Sequence, residues 1–115
     1  MTTLVRAFPL VRTPAEVEAF IAELRGARRE ETSQFYRAYG VSHESVHLQD
    51  TPHGTLLIVA TWIDDVCDAA PRYQAASQGF HAWFKERVQF LTGVNLDAMP
   101  LGPPAREVFA WPAAA

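Results

Sequence analysis

The longest apolar stretch of the chain covers residues 55–63 and contains almost no polar side chain. Because a strand turns alternate residues to opposite faces, Leu56 and Ile58 share one face while Leu57 and Val59 share the other. Both faces are apolar, whereas a strand with one face in water alternates apolar and polar residues. The pattern therefore predicts a central strand that is covered on both sides.

The stretch before it predicts a strand followed by a helix. Residues 4–11 are mostly apolar and favour a first strand. Thr13 and Glu16 have the spacing of a capping box, which marks the start of a helix. Apolar residues then recur at steps of three and four, with Gly26 as the expected bend and Gly40 as the stop signal.

The rest of the chain predicts two more strands and two more helical segments. Residues 43–49 alternate loosely, which indicates an exposed edge strand, and residues 50–54 have the composition of a turn. The later elements are a short helical piece over residues 65–70 that Pro71 interrupts, a second main helix from Ser77 to Gly93, and a last short strand over residues 106–111.

This order of elements predicts the fold class. The sequence βαββαβ is typical of an α+β, ferredoxin-like fold with a four-stranded antiparallel sheet and two helices on one face. We expect one domain over residues 1–115. Because two helices cover only one face, the other apolar face predicts a second copy of the chain, packed as a homodimer.

Composition narrows the possible partners. Hydrophobic residues make up 49% of the chain and charged residues 20%, which excludes a disordered protein. A net charge of -3 without a basic stripe argues against nucleic acid. No apolar run approaches the roughly 20 residues that span a bilayer, so no membrane partner is expected. The single cysteine, Cys67, permits no internal disulfide and favours the cytoplasm.

The element order, residues 55–63 and the aromatic stretch at residues 80–84 together resemble the dimeric α/β-barrel superfamily. Its members include antibiotic-biosynthesis-type and haem-degrading monooxygenases and stress-responsive barrel proteins. Residues 28–31, 40–41 and 44–46 look most like a small bacterial family of unknown function within it. The resemblance implies a dimeric α/β barrel with a pocket for a small organic molecule between the sheet and its helices.

Arg28 and Glu31 are the first candidates for a site. They lie three residues apart at the edge of the apolar stripe of the first helix, where charges are unusual. In one interpretation they line the pocket, with Glu31 as a catalytic proton acceptor and Arg28 binding the substrate. In the other they form an ion pair on the helix surface worth about 0.3 to 0.5 kcal/mol.

His81 and the aromatic residues are the second set of candidates. His81 could act as a catalytic general base near neutral pH or ligate a metal or haem iron, or it could be a partly buried histidine with a satisfied hydrogen bond. Aromatic side chains could wall a cavity for a flat ligand or belong to the ordinary core. The substrate-binding candidates are Trp62, Phe80, Trp83, Phe84 and Phe109.

No metal site and no cofactor are expected. His43 and His47 share a face of the predicted strand but stand about 13 Å apart by the rise per residue, too far for one ion. A haem-degrading activity is disfavoured, because Arg6 and Phe8 stand in the first strand where the resemblance would place an asparagine.

Two functional hypotheses follow. The first is a homodimeric protein that binds a small organic molecule without catalysis. The second is a monooxygenase-like oxidoreductase without a cofactor, acting on a planar phenolic or polyketide-like substrate, in which His81 or Glu31 removes a proton.

Overall fold

The computed structural model describes residues 2–75, 79–95 and 104–112. Within these residues the helices and strands follow one order along the chain. They are β1 (Thr2–Pro9), α1 (Pro14–Arg25), α2 (Arg29–Ala38), β2 (Val41–Thr51), β3 (Gly54–Ile63), α3 (Val66–Ala75) and α4 (Gly79–Thr92).

The described strands form a three-stranded antiparallel sheet in the order β1-β3-β2. β3 lies in the middle, as its apolar pattern predicts, and pairs with β1 from Thr2↔Ile63 to Pro9↔Leu56. β2 and β3 form the predicted hairpin. Its turn is closed by the Thr51 hydroxyl, which donates to the Gly54 carbonyl at 2.6 Å.

The predicted fourth strand is wrong, and with it the four-stranded ferredoxin-like sheet and the dimeric barrel built on that sheet. The described residues after Pro104 form no strand: one isolated bridge joins Pro104 to Arg6, and the Ala105 N–H donates to the Val5 carbonyl at 2.7 Å. Proline has no N–H to donate to a neighbouring strand. Phe109 is 80% exposed, so its side chain contributes little burial that would stabilise further pairing with β1. The fold is α+β, with a three-stranded sheet in the described residues.

The long first helix of the prediction is two helices. Thr13 and Glu16 form the capping box as expected, and α1 begins there. Gly26 ends α1 rather than bending it, and its N–H donates to the Ala22 carbonyl at 3.0 Å. The break lets α2 take its own direction and bury Phe35 over the sheet.

The second half also departs from the prediction at one proline. α3 passes through Pro71 instead of being interrupted there. Proline removes the hydrogen bond to the carbonyl four residues earlier, and that residue, Cys67, is exposed to water. α4 ends before Gly93, whose φ of 75° is the left-handed cap that the sequence predicts. In the part of the chain that the structure describes, no helix has both the length and the apolarity to cross a membrane.

The helices lie on one face of the sheet, and the core lies between the helices and the sheet. Alternate residues of β3, among them Leu57 and Ile63, point into this core, while Leu56 and Ile58 point away from it and are only half-buried. The buried apolar residues are Phe8, Val17, Phe20, Leu24, Phe35, Tyr39, Leu57, Ile63, Ala69, Tyr73, Phe80 and Leu91.

Candidate functional site

A cavity of about 100 Å³ lies between the sheet and the helices. At roughly 10 to 15 Å³ per water-sized sphere, it has room for about seven to ten such spheres, which is the size of a small aromatic molecule. Val46 lines the cavity and is 40% exposed, so the cavity reaches the surface along β2. Its apolar lining is Leu4, Phe8, Val17, Phe20, Ile21, Leu24, Phe35, Val41, Val46, Leu57, Val59, Ile63, Phe84 and Val88.

Six polar side chains line the same cavity. Four of them are linked by hydrogen bonds and form what we call the polar cluster: Arg6, Tyr36, Glu44 and Thr61. The other two are Tyr39 and Tyr73, whose rings pack against Phe35. The members of the polar cluster come from four elements, β1, α2, β2 and β3. Strand alternation explains the three on the sheet, because each shares the inward face with apolar neighbours two residues away. Glu44 is paired with Thr61 across β2 and β3, which places their side chains next to each other.

Thr61 connects the two charged groups of the cluster. Arg6 Nη2 donates a hydrogen bond to Thr61 Oγ1, and Thr61 Oγ1 donates one to Glu44 Oε1 at 2.7 Å. Arg6 Nη2 also lies 3.5 Å from Glu44 Oε1, which makes an ion pair. The side chains of Arg6 and Glu44 are 11% and 13% exposed, so this pair is largely shielded from water.

Burial governs the electrostatics of the cluster. Desolvation lowers the pKa of Arg6, and the neighbouring Glu44 opposes that shift by stabilising the guanidinium. Desolvation raises the pKa of the Tyr36 phenol, and the charge and hydrogen bond of Glu44 raise it further. Tyr36 is therefore a neutral hydroxyl that donates to Glu44, and the cluster holds one cation, one anion and two hydroxyl groups.

Arg28 and Glu31 lie on the surface of the helical layer rather than in the cavity lining. Arg28 Nη1 is 3.3 Å from Glu31 Oε1, and the two side chains are 32% and 49% exposed. The Arg28 guanidinium stacks over the Trp83 ring at 4.0 Å and lies 3.8 Å from Glu23. This geometry corresponds to the surface ion pair, one of the two interpretations that the sequence allows.

His81 lies behind the cavity and contacts one of its walls. Its Nδ1 is 3.0 Å from the Tyr39 hydroxyl, and its ring packs against Phe35 at 5.2 Å. Burial, and then the charge of Lys85, lower the pKa of His81, which favours the neutral imidazole. Because Tyr39 lines the cavity, this hydrogen bond connects His81 to the cavity wall.

The aromatic candidates fall into three places. Phe84 lines the cavity, and Phe80 and Trp83 pack behind it. The ring centroid of Phe80 is 5.9 Å from that of Phe84 and 5.5 Å from that of Trp83. Trp62 lies on the opposite face of the sheet against the His43 ring. Phe109 is 80% exposed. Of the predicted ligand-binding residues, the structure places Phe84 in the cavity wall.

The polar cluster was not predicted, although the sequence contains a signal for it. Arg6 stands between Leu4 and Phe8 at a spacing of two, so an ion occupies the inward face of an otherwise apolar strand. Thr61 interrupts β3 in the same way. The signal for Glu44 is weaker, since β2 is polar along most of its length.

The histidines of β2 are not arranged around a common point. The His43 ring packs on Trp62 at 4.7 Å, and His47 Nε2 is 3.0 Å from Ser45 Oγ. Among residues 2–75, 79–95 and 104–112, no three histidine, cysteine or carboxylate side chains come together as metal ligands would.

Comparison of the chain with protein-family models, with curated proteins and with solved structures found no match.

Proposed function

We propose that this protein binds a small organic molecule in the cavity between the sheet and the helices, with the polar cluster contacting the polar group of that molecule. The observation that carries the proposal is the convergence of a hydrogen-bonded group of four polar side chains, from four elements, on a cavity whose remaining walls are apolar side chains and two tyrosines. Binding sites for small molecules have this composition: mostly apolar walls with a few polar groups that fix orientation.

The cost of the ion pair supports the same proposal. Burying two ions in a protein interior is often no more stabilising than filling the space with apolar side chains. Arg6 and Glu44 are nearly buried and lie at the edge of a cavity instead of in a filled core. Recognition of a ligand would explain why the interior contains both a charged pair and an unfilled cavity beside it.

A pair of substitutions on β3 tests the binding site. Val59→Phe should fill the cavity, because Val59 lines it, whereas Ile58→Phe adds the same ring system to the opposite face of the same strand. The probe is 2-naphthol, a rigid aromatic of suitable size, followed by its fluorescence and by the thermal shift of the protein.

Binding by the wild type and Ile58→Phe, but not by a folded Val59→Phe, is the expected result. If none of the three proteins binds 2-naphthol or other apolar aromatics of that size, the cavity is not a binding site. If Val59→Phe binds as the wild type does, the ligand occupies another part of the molecule.

A second candidate function is a monooxygenase-like reaction without a bound cofactor. The polar cluster is the location that best suits this reaction. Glu44 can accept a proton from a phenolic substrate while Arg6 stabilises the resulting anion. Dioxygen would then be the co-substrate and a quinol substrate would itself supply the four electrons: one oxygen atom enters the ring, the product is the hydroxyquinone, and the other oxygen atom leaves as water. Purified protein with a panel of quinols should consume oxygen, and Glu44→Gln should abolish that consumption whereas Glu31→Gln should not.

The same oxygen-consumption assay tests the catalytic roles predicted for His81 and Glu31. Loss of oxygen consumption in His81→Ala, with Glu44→Gln unaffected, would move the chemistry from the polar cluster to the histidine. Loss in Glu31→Gln would favour the pair on α2. An absence of oxygen consumption in all proteins, with binding retained, would leave the non-catalytic function.

The proposed macromolecular partner is a second copy of the chain. Val5 is 37% exposed on the outward face of the sheet, and Leu56, Ile58 and Trp62 on that face are only half-buried. Light scattering at micromolar concentration should return a dimer, which Ile58→Lys should dissociate and Gln34→Lys, at an exposed position on α2 on the other side of the sheet, should not. A monomeric wild type would contradict the dimer. A cytoplasmic location is part of the proposal and rests on Cys67 alone.

A further inference from the structure

The polar end of the cavity is balanced in charge. Arg6 and Glu44 are the two described lining residues with a formal charge at neutral pH, and the charges are opposite. Their closest atoms, Arg6 Nη2 and Glu44 Oε1, lie 3.5 Å apart. A molecule entering the cavity therefore meets a strong hydrogen-bond donor and a strong acceptor side by side, without a net charge to neutralise.

We infer that the cavity selects a neutral aromatic molecule that carries a hydroxyl group and rejects the corresponding carboxylate, with Glu44 as the residue that excludes anions. This inference rests on the proposed binding function and adds the chemical class of the ligand. Its basis is the pairing of a guanidinium and a carboxylate at the polar end of an apolar cavity.

A hydroxyl group matches both members of the pair. It can donate to the Glu44 carboxylate and accept from the Arg6 guanidinium. A carboxylate has room for about four hydrogen bonds, and Glu44 already accepts from Thr61, Arg6 and Tyr36. One more donor, from a ligand, completes that number.

A carboxylate ligand matches only one member. It accepts from Arg6, but it brings a second negative charge next to Glu44. The attraction and the repulsion are of similar size, since the two protein groups are in contact, and the cost of removing the ligand ion from water then remains unopposed. Replacing Glu44 by glutamine removes the repulsion, keeps the side-chain volume, and leaves the positive charge of Arg6 to attract an anion.

The experiment compares three ligands with the same ring system: naphthalene, 2-naphthol and 2-naphthoate, titrated at pH 7.5 into the full chain. Wild type should bind 2-naphthol at least about tenfold more tightly than either of the other two. Glu44→Gln should bind 2-naphthoate about tenfold more tightly than wild type does and 2-naphthol more weakly.

Glu31→Gln is the matched control. It changes the net charge of the protein by the same amount, but Glu31 is half-exposed on α2 and is ion-paired with Arg28 outside the cavity. It should leave the order of the three affinities as in wild type. Val59→Phe should abolish binding of all three, which locates them in the cavity.

The failures are distinguishable. If wild type binds 2-naphthoate as tightly as 2-naphthol, or naphthalene as tightly as 2-naphthol, the inference is wrong while the cavity remains a binding site. If wild type binds none of the three, both the inference and the proposed function fall. Should circular dichroism show that Glu44→Gln is unfolded, the wild-type comparison decides alone.

Discussion

The Thr61 hydroxyl donates a hydrogen bond of 2.7 Å to Glu44 Oε1, across the pairing of β3 with β2. The same hydroxyl accepts from Arg6 of β1, so one small side chain connects both ions of the polar cluster and all three described strands. The position of the cluster is thus fixed by strand register, and its internal geometry depends on Thr61.

Thr61→Val should therefore destabilise the protein although it keeps the shape of the side chain. It removes a donor from Glu44 and an acceptor from Arg6 in a buried place, at a cost of about 2 kcal/mol in the free energy of unfolding. Thr55→Val on the same strand is the control, since Thr55 makes an exposed hydrogen bond to Asp50 and its loss should cost less than about 0.5 kcal/mol. Urea denaturation measures both, and equal effects would contradict the bridging role of Thr61.

Removing one ion of the buried pair should be worse than removing both. Arg6→Met leaves the Glu44 carboxylate in the cavity wall without its cation and should cost about 3 kcal/mol, whereas Arg6→Met/Glu44→Leu should recover most of that loss. The surface pair provides the comparison: Arg28→Met and Glu31→Gln should couple by less than about 0.5 kcal/mol. Additive effects at Arg6 and Glu44 in urea denaturation would show that the pair does not act as a unit.

His81 should make stability depend on pH. Its folded-state pKa lies below the ordinary value of 6.5, because burial and then Lys85 disfavour the imidazolium. The unfolded chain therefore binds the proton more readily, so this contribution to stability is complete above pH 6.5 and is lost as the pH falls below it.

His81→Gln should reduce the difference in unfolding free energy between pH 7.5 and pH 5.5. Gln34→Ala, an exposed substitution on α2 that removes no titratable group, should leave that difference as in wild type. An unchanged difference in His81→Gln would mean that the histidine has the same proton affinity in both states.

The start of α1 offers a prediction independent of the cavity. Thr13 Oγ1 accepts from the Glu16 N–H at 3.2 Å, and the Glu16 carboxylate accepts from the Thr13 N–H at 3.3 Å. Thr13→Ala should cost about 1 kcal/mol in urea denaturation. Glu18→Ala, an exposed substitution further along the same helix, should change stability by less than about 0.5 kcal/mol, and equal losses would rule out a specific capping effect.

Elements with a strong local signal were predicted from the sequence. The capping box located the start of α1, Gly93 the end of α4, and the apolar run over residues 55–63 the central strand. These signals depend on neighbouring residues, so they can be seen without knowing the fold.

Features that depend on distant partners were not predicted. The segment after Pro104 has an apolar pattern compatible with a strand, but whether it pairs depends on what covers its side chains. The polar cluster has the same origin: Arg6 and Thr61 are 55 residues apart in the chain and meet only because β1 pairs with β3. Of the predicted site, Phe84 is in the cavity wall, whereas the groups that give the cavity its chemistry were found through strand register.

Residues 104 and 105 are bonded to the backbone of β1, so they can report indirectly on whether the cavity is occupied. Arg6 pairs with Pro104 through its backbone while its side chain lines the cavity, and the Ala105 amide bonds to the adjacent Val5 carbonyl. A ligand that binds Arg6 should reduce local opening of β1 and so slow hydrogen–deuterium exchange of the Ala105 amide, although residues 104–112 do not line the cavity. Occupancy of the interior could thus be followed from a single amide at the edge of the sheet.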